Sequence, residues 1–388
     1  GPDHGGPRPL ELGPGDGQDA GEAEQQPDGV DAGQGPAQQQ DRPGGPGQRH
    51  GPVQHAGHRG VDPLLGEGEQ RQRQAGVRLL RQTFHWNQIE RRPGRFDFRI
   101  YDAYMADIAR RRMHVLPILF SPPEFRSSAP RTGRRRGTYP PRNAATMAKF
   151  AATLARRYGP GGSFWRERPH LPRVPIGSWQ IWNEPNLPVY WASGPDPAAY
   201  TQLLRTVGQA IKRVDPHAEI VSAGLPESDL GMPFEQFVEG MERANAASAY
   251  DVLAVHAFAA DAGGAIEAVA AARRLLDDND DDASIWVTEI GWASGGPGSP
   301  FTVGEGGQAG RIRALLAGLA ARRRDLGVRG VVYYDWKDAR PFPGGKDFFG
   351  LHTGLLTIDG RAKPALAAFR RAAQRIICQE SDARCDLD

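Results

Sequence analysis

The chain has 388 residues, 39% of them hydrophobic, and a formal net charge of +2. That length suits one barrel-sized domain with an appendage, or two domains. The near-neutral charge gives no electrostatic reason to expect nucleic acid or an anionic membrane as a partner, and no apolar run reaches the roughly 18 residues of a membrane span.

Residues 1–75 lack every aromatic residue, Ile, Met, Ser, Thr, Lys and Asn, and are dominated by Gly, Pro, Gln, Asp and Arg. Such a stretch cannot bury enough apolar surface to offset its chain entropy, so disorder is expected. Natural linkers carry Ser and Thr, however, and their absence fits a second reading: translation of GC-rich DNA in a wrong frame, or a misassigned start.

From Gly76 the texture changes. Short apolar runs, read as strands, stand at 77–84, 114–120, 178–185, 218–224, 250–258, 284–292 and 329–336, with helix-like segments between them. Strands buried on both faces and alternating with amphipathic helices indicate parallel βα units. Seven of them over about 260 residues point to an α/β fold, a (β/α)8 TIM barrel over 76–375 whose first strand is not recognisable. A doubly wound open sheet is the alternative, but no glycine-rich phosphate turn follows an early strand.

Three arginine triplets (110–112, 134–136, 322–324) and the acidic run Asp277–Asp282 read as solvated. The acidic run lacks the spaced ligands and glycine of a calcium loop. Beyond residue 375 the tail 376–388 carries the chain's two cysteines, Cys378 and Cys385. Either they pair and pin a terminal helix, as in a secreted protein, or they are free thiols of a cytosolic one. The pairing favours an extracellular location, with the targeting sequence absent from this chain. The Arg- and Ala-rich, Lys-poor composition fits a GC-rich bacterial source.

Within WQIWNEPNLPVYW, 179–191, Glu184 stands among aromatic and apolar residues. A carboxylate there is costly unless paired or used. Counting the run at 77–84 as the second strand, Glu184 ends the fourth and Glu289, in WVTEIGW, the seventh. Both fall on the C-terminal rim, where barrel active sites are built. Two glutamates facing one cleft is what glycoside hydrolysis needs: a proton donor for the leaving oxygen, and a nucleophile or base. Burial favours the protonated carboxyl a donor requires, and flat aromatic rings suit the apolar faces of sugars.

WNEPN, followed about one hundred residues on by WVTEIGW, resembles the motifs of clan A glycoside hydrolases, especially β-xylosidase-like and cellulase-like members, over residues 76–369. The resemblance implies a retaining enzyme, with Glu184 as acid/base, Glu289 as nucleophile and a β-linked poly- or oligosaccharide as substrate. It further implies that Asn183 binds the sugar 2-hydroxyl, that Arg81 orients Glu289, that His256 belongs to the rim, and that Trp336 forms a platform under the reacting ring. One position departs: the family commonly has His-x-Tyr where this chain reads His256-Ala-Phe258, so the hydroxyl that holds the nucleophile is missing unless Tyr333 or Tyr334 replaces it.

Plainer readings stand beside these. Arg81 suits an ordinary barrel salt bridge and His256 a satisfied core histidine. Trp86, Trp182, Trp191 and Trp292 suit packing as well as sugar stacking, with Trp86 and Trp292 the better substrate-binding candidates. Glu124 and Asp335 are rim residues without an assignable role, whereas Glu90, Glu227 and Glu305 read as surface. The glycine-rich segment 340–356 reads as a loop over the cleft, with Lys346 and Asp347 as candidate substrate contacts. No cofactor is implied. The ten histidines show no paired helical spacing with an acid, so no metal is expected, and no Gly-x-Ser-x-Gly elbow supports Ser-His-Asp hydrolysis. The alternative function is a catalytically impaired barrel that only binds carbohydrate, since a barrel short of one strand leaves two edges unpaired.

Overall fold

A computed structural model of the protein describes residues 11–14, 63–130, 136–341 and 346–381. Along these the main strands and helices alternate: β1 (Glu11–Pro14), α1 (Pro63–Gln74), β2 (Leu79–His85), α2 (Arg99–Arg110), β3 (His114–Phe120), α3 (Ala144–Tyr158), β4 (Ser178–Ile181), α4 (Pro197–Lys212), β5 (Glu219–Val221), α5 (Phe234–Arg243), β6 (Val252–His256), α6 (Ala262–Asp278), β7 (Ser284–Glu289), α7 (Gly304–Ala321), β8 (Val328–Tyr333) and α8 (Pro364–Ser381). Parallel ladders join β2 to β3 and so on in order to β8, and β8 to β1, while the short strand Leu225–Pro226 pairs beside β6. β1 also lies against β2, at the opposite end of the ladder order. The result is a curled parallel sheet of TIM-barrel-like form.

The strands are buried on both faces because two separate apolar layers need them. Leu79, Leu116, Val221, Val252, Ala254, Trp286 and Val332 fill the space enclosed by the sheet, and a larger layer packs between strands and helices. Local chemistry starts several of the helices. Asn143, Asp196 and Asp261 each accept a hydrogen bond from a backbone N–H of the first turn of α3, α4 and α6, and Pro197 opens α4 where its missing N–H costs nothing.

Two stretches of the segment expected to be disordered or mistranslated are ordered parts of this fold, which corrects that expectation for residues 11–14 and 63–74. Composition misses β1 because its ladder to Gly330–Tyr333 is a backbone interaction, indifferent to the apolar content of ELGP. It misses α1 because PLLGEGEQRQRQ, though poor in bulky apolar residues, is rich in strong helix formers. Glu69 and Gln72 are buried, and Arg71 donates to the Gly360 carbonyl at 3.2 Å. The β8 edge expected to be unpaired is paired. Cys385 lies outside the described residues, and the expected Cys378–Cys385 disulfide with it.

Two acidic sites also differ from expectation. Glu90 is buried, because its carboxylate accepts from Trp86 Nε1 at 2.6 Å, Gly94 N at 2.8 Å and Arg126 Nη2 at 2.9 Å. Asp281, within the acidic run, is buried between Tyr250 OH at 2.7 Å and Ala283 N at 2.9 Å.

Candidate active site

Side chains alternate along a strand, so the inward position two beyond Leu79 is Arg81, which rises above the apolar layer. Its guanidinium is buried and donates in three directions: Nε to Gln180 Oε1 at 2.6 Å, Nη1 to Glu289 Oε1 at 2.5 Å and Nη2 to Asn183 Oδ1 at 2.7 Å. β2, β4 and β7 are thereby tied at one polar hub. Among the described residues the ion-pair contacts to the Glu289 side chain fall on Oε1, and that side chain keeps 14% of its exposure.

β4 ends at Ile181, and the chain then turns sharply. Trp182 and Glu184 both adopt left-handed φ, 75° and 41°, a conformation that costs a non-glycine residue of order 1 kcal/mol or more and clusters at functional sites. The surroundings hold it: Trp182 N donates to Leu119 O, Trp182 Nε1 to Tyr190 O, and Glu184 N to Gly224 O, at 3.1, 2.9 and 3.1 Å. Asn186, just beyond, anchors the turn through Pro226 O and Met232 O.

His256, at the end of β6, stands between the two glutamates. Nδ1 lies 2.6 Å from Glu184 Oε1 and Nε2 lies 3.5 Å from Glu289 Oε1. Burial holds the imidazole pKa down to about 3; Glu289 opposes that shift and Arg81 reinforces it, so the ring is neutral at ordinary pH. Its place depends on Gly224, where a β-carbon would sit 1.9 Å from Nε2. One ligand atom each from Glu184, His256 and Glu289 falls within 4.8 Å of the others. A cation could use that spacing, but the Arg81 guanidinium already supplies positive charge against Glu289.

Residues 180–306, which hold Gln180, Asn183, Glu184, His256 and Glu289, match the family model for the glycosyl hydrolase catalytic core. Solved structures share the fold of this chain. A family 39 glycoside hydrolase from Bacteroides cellulosilyticus WH2 aligns with 79% of this chain and 60% of its own, at 21% identity and a TM-score of 0.59. A glucosidase from Croceicoccus marinus gives 79% and 63%, 16% identity and 0.58. A monomeric beta-xylosidase from Caulobacter crescentus CB15 gives 79% and 63%, 17% identity and 0.57. At these identities the likeness is one of fold. The alignments span about three fifths of each of these proteins. The comparison with curated proteins returns no match.

Around the two glutamates the aromatic candidates divide. Trp86 and Trp292 are fully buried, so a sugar in an open cleft does not reach them. Trp86 stacks on Phe150 with ring centroids 5.1 Å apart and bonds Glu90; Trp292 Nε1 donates to Ala259 O at 2.8 Å. Trp182 and Trp191 are buried likewise. Trp336 is buried but for 7% of its surface. Tyr333, the last residue of β8, does not supply the hydroxyl lacking at Phe258. Tyr333 OH lies with Thr353 O and Gln308 Nε2, and Glu289 takes its contacts from Arg81 and His256. In the segment after β8, Lys346 and Asp347 are exposed, and Asp347 Oδ1 lies 2.8 Å from His352 Nε2.

Sequence reasoning passed over Gln180. A polar residue in a strand otherwise reading Trp, Ile, Trp was the available signal, of the same kind as Glu184 itself.

Proposed function

We propose that the protein is a retaining O-glycosyl hydrolase acting on β-linked poly- or oligosaccharides, on a closed (β/α)8 barrel, with Glu184 as acid/base and Glu289 as nucleophile. The observation that carries this is the approach of the two carboxyl groups: oxygens of Glu184 and Glu289 lie within 4.8 Å of one another. Retaining glycosidases hold the pair about 5–5.5 Å apart, whereas inverting ones need about 6.5–9.5 Å to admit a water.

The chemistry follows from the contacts. Glu289 presents its other oxygen to the anomeric carbon while Glu184 protonates the leaving oxygen, and a glycosyl–enzyme ester forms. Glu184, now a carboxylate, takes a proton from the water that attacks the ester and restores the enzyme. Arg81 aims the nucleophile. Asn183 accepts from Arg81 through Oδ1, so its NH2 group is the part left to donate to a sugar hydroxyl. A neutral His256 carries one ring proton. With Glu184 protonated, its O–H donates to Nδ1, and the Nε2–H turns towards Glu289, in place of the tyrosine hydroxyl that Phe258 lacks.

The test is hydrolysis of aryl β-glycosides (xyloside, glucoside, arabinoside, mannoside) by the protein and by Glu184→Gln and Glu289→Gln. Loss of about 10⁴-fold or more in Glu289→Gln is expected, with Glu184→Gln recovering on activated leaving groups or with azide. A cooperatively melting protein that turns over none of them, yet binds oligosaccharide, would sink the proposal in favour of a carbohydrate-binding barrel.

A further inference from the structure

Arg81 acts on two residues of the proposed chemistry at once, and what aims Arg81 is Gln180. A guanidinium is a rigid planar fork. When Nε is held, the directions of Nη1 and Nη2 are fixed with it. Gln180 is fully buried on β4 and offers Nε its amide oxygen at 2.6 Å. Its own amide is held in turn, because Nε2 donates to the carbonyl of Ser222, just past β5, at 2.9 Å. The two contacts leave one orientation for the amide: Arg81 Nε only donates and needs the oxygen, while the Ser222 carbonyl only accepts and needs the NH2. Ser222 is itself tied to β6, its hydroxyl accepting from Ala254 N at 2.9 Å.

We propose that Gln180 is a positioning residue of the hydrolytic site, one that aims Arg81 at Glu289 and Asn183 and that must be neutral to do so. The proposal rests on the glycosidase reading above. An uncharged acceptor at Nε leaves the full guanidinium charge to Glu289; a carboxylate there would take a share of it and weaken the pull on the nucleophile. The charged and titratable groups that face Glu289 are Arg81 from β2 and His256 from β6, with Glu184 behind His256. His256 is neutral, so Arg81 is the cation paired with Glu289.

Two variants test this. Gln180→Leu removes both hydrogen bonds, and Gln180→Glu keeps the shape but adds charge. Both are expected to lower kcat on aryl glycosides by about 10- to 100-fold with KM changed less than about threefold. In Gln180→Glu the acid limb of the kcat/KM profile should also move to higher pH, which a residue that merely packs would not cause. A second readout does not need turnover: protection of the Arg81 Nε–H from solvent exchange, followed by NMR, should be present in the parent and lost in Gln180→Leu. Cooperatively melting variants with kcat within threefold of the parent, an unmoved acid limb and a still-protected Nε–H would overturn the proposal. If the parent hydrolyses no glycoside, the glycosidase reading fails, and the Nε–H alone decides whether Gln180 aims Arg81. If Gln180→Leu does not fold, Gln180→Glu carries the test.

Discussion

Two arginine–carboxylate clusters in this molecule use the same chemistry to opposite ends. Outside the sheet, Asp102 of α2 is saturated. Arg157 reaches both its oxygens, Arg168 Nη2 adds a contact at 3.1 Å and Tyr158 OH another at 2.8 Å. Arg157 is in turn shared with Glu167 and Ser163. Inside the sheet, Glu289 is held by ion pairs on one oxygen among the described residues. A saturated carboxylate is a clamp between α2 and α3, with nothing in reserve. A half-held one is fixed in direction yet keeps a lone pair for a substrate, which is what a nucleophile requires.

The sharpest way to break this contrast is to neutralise each acid in turn. Glu289→Gln should abolish turnover and also lower the melting temperature, because buried Arg81 loses its carboxylate. Asp102→Asn should leave kcat/KM within about threefold but cost about 1–3 kcal/mol of stability, because Arg157 and Arg168 keep only the more exposed Glu167 as a charged partner. Urea melts beside aryl-glycoside kinetics would read both, and a large activity loss in Asp102→Asn would erase the distinction. A smaller effect is expected at Gly224. Its replacement by Ala must displace His256, since the new carbon would lie 1.9 Å from Nε2. A shift of that ring should cost about 10- to 100-fold in kcat/KM with the melt almost unchanged.

The smallest effect belongs to a third acid, which is neither clamped nor aimed. Burial, with Asp107 nearby, raises the Glu69 pKa from 4.5 to about 7, and Glu69 Oε2 and Asp107 Oδ2 are both buried without a partner. Below about pH 4.5 the carboxyl is protonated whether or not α1 is docked, and nothing is lost. Between there and about pH 7 the undocked or unfolded chain gives up its proton and the folded one keeps it, so stability falls as pH rises, then levels off. Glu69→Gln should therefore gain on the order of 1–3 kcal/mol over the parent at about pH 8 and nothing at about pH 4. His256, held neutral, gives the opposite slope on the acid side, and it cancels in the difference between the two proteins. Equal stabilities at both pH values would remove Glu69 from the docking of α1.

What was legible in the sequence follows the same physics. β2 to β8 stood out because strands buried on both faces must be continuously apolar, and Glu184 and Glu289 stood out as charges placed where charge is costly. The glutamates could be assigned to strand ends by counting alone. Glu90 was misread because its fate is set by Arg126, 36 residues away, a contact that no local pattern encodes. Gln180 gave a weak signal, one polar residue in an apolar strand, but its partners on β2 and just past β5 could not be read from it. β1 was invisible because its ladder uses only the backbone.

That last pairing also has a consequence for how the chain is made. Glu11 meets its partner Gly330 roughly 300 residues later. At the usual pace of about 5–20 residues per second, β1 waits roughly 15–60 s for β8 to emerge from the ribosome. Every residue of the polar hub lies between Arg81 and Glu289 and is out by then. Assembly of the chemistry and joining of the sheet's first and last strands are therefore separate events in the life of the nascent chain, and the earlier one does not wait for the later.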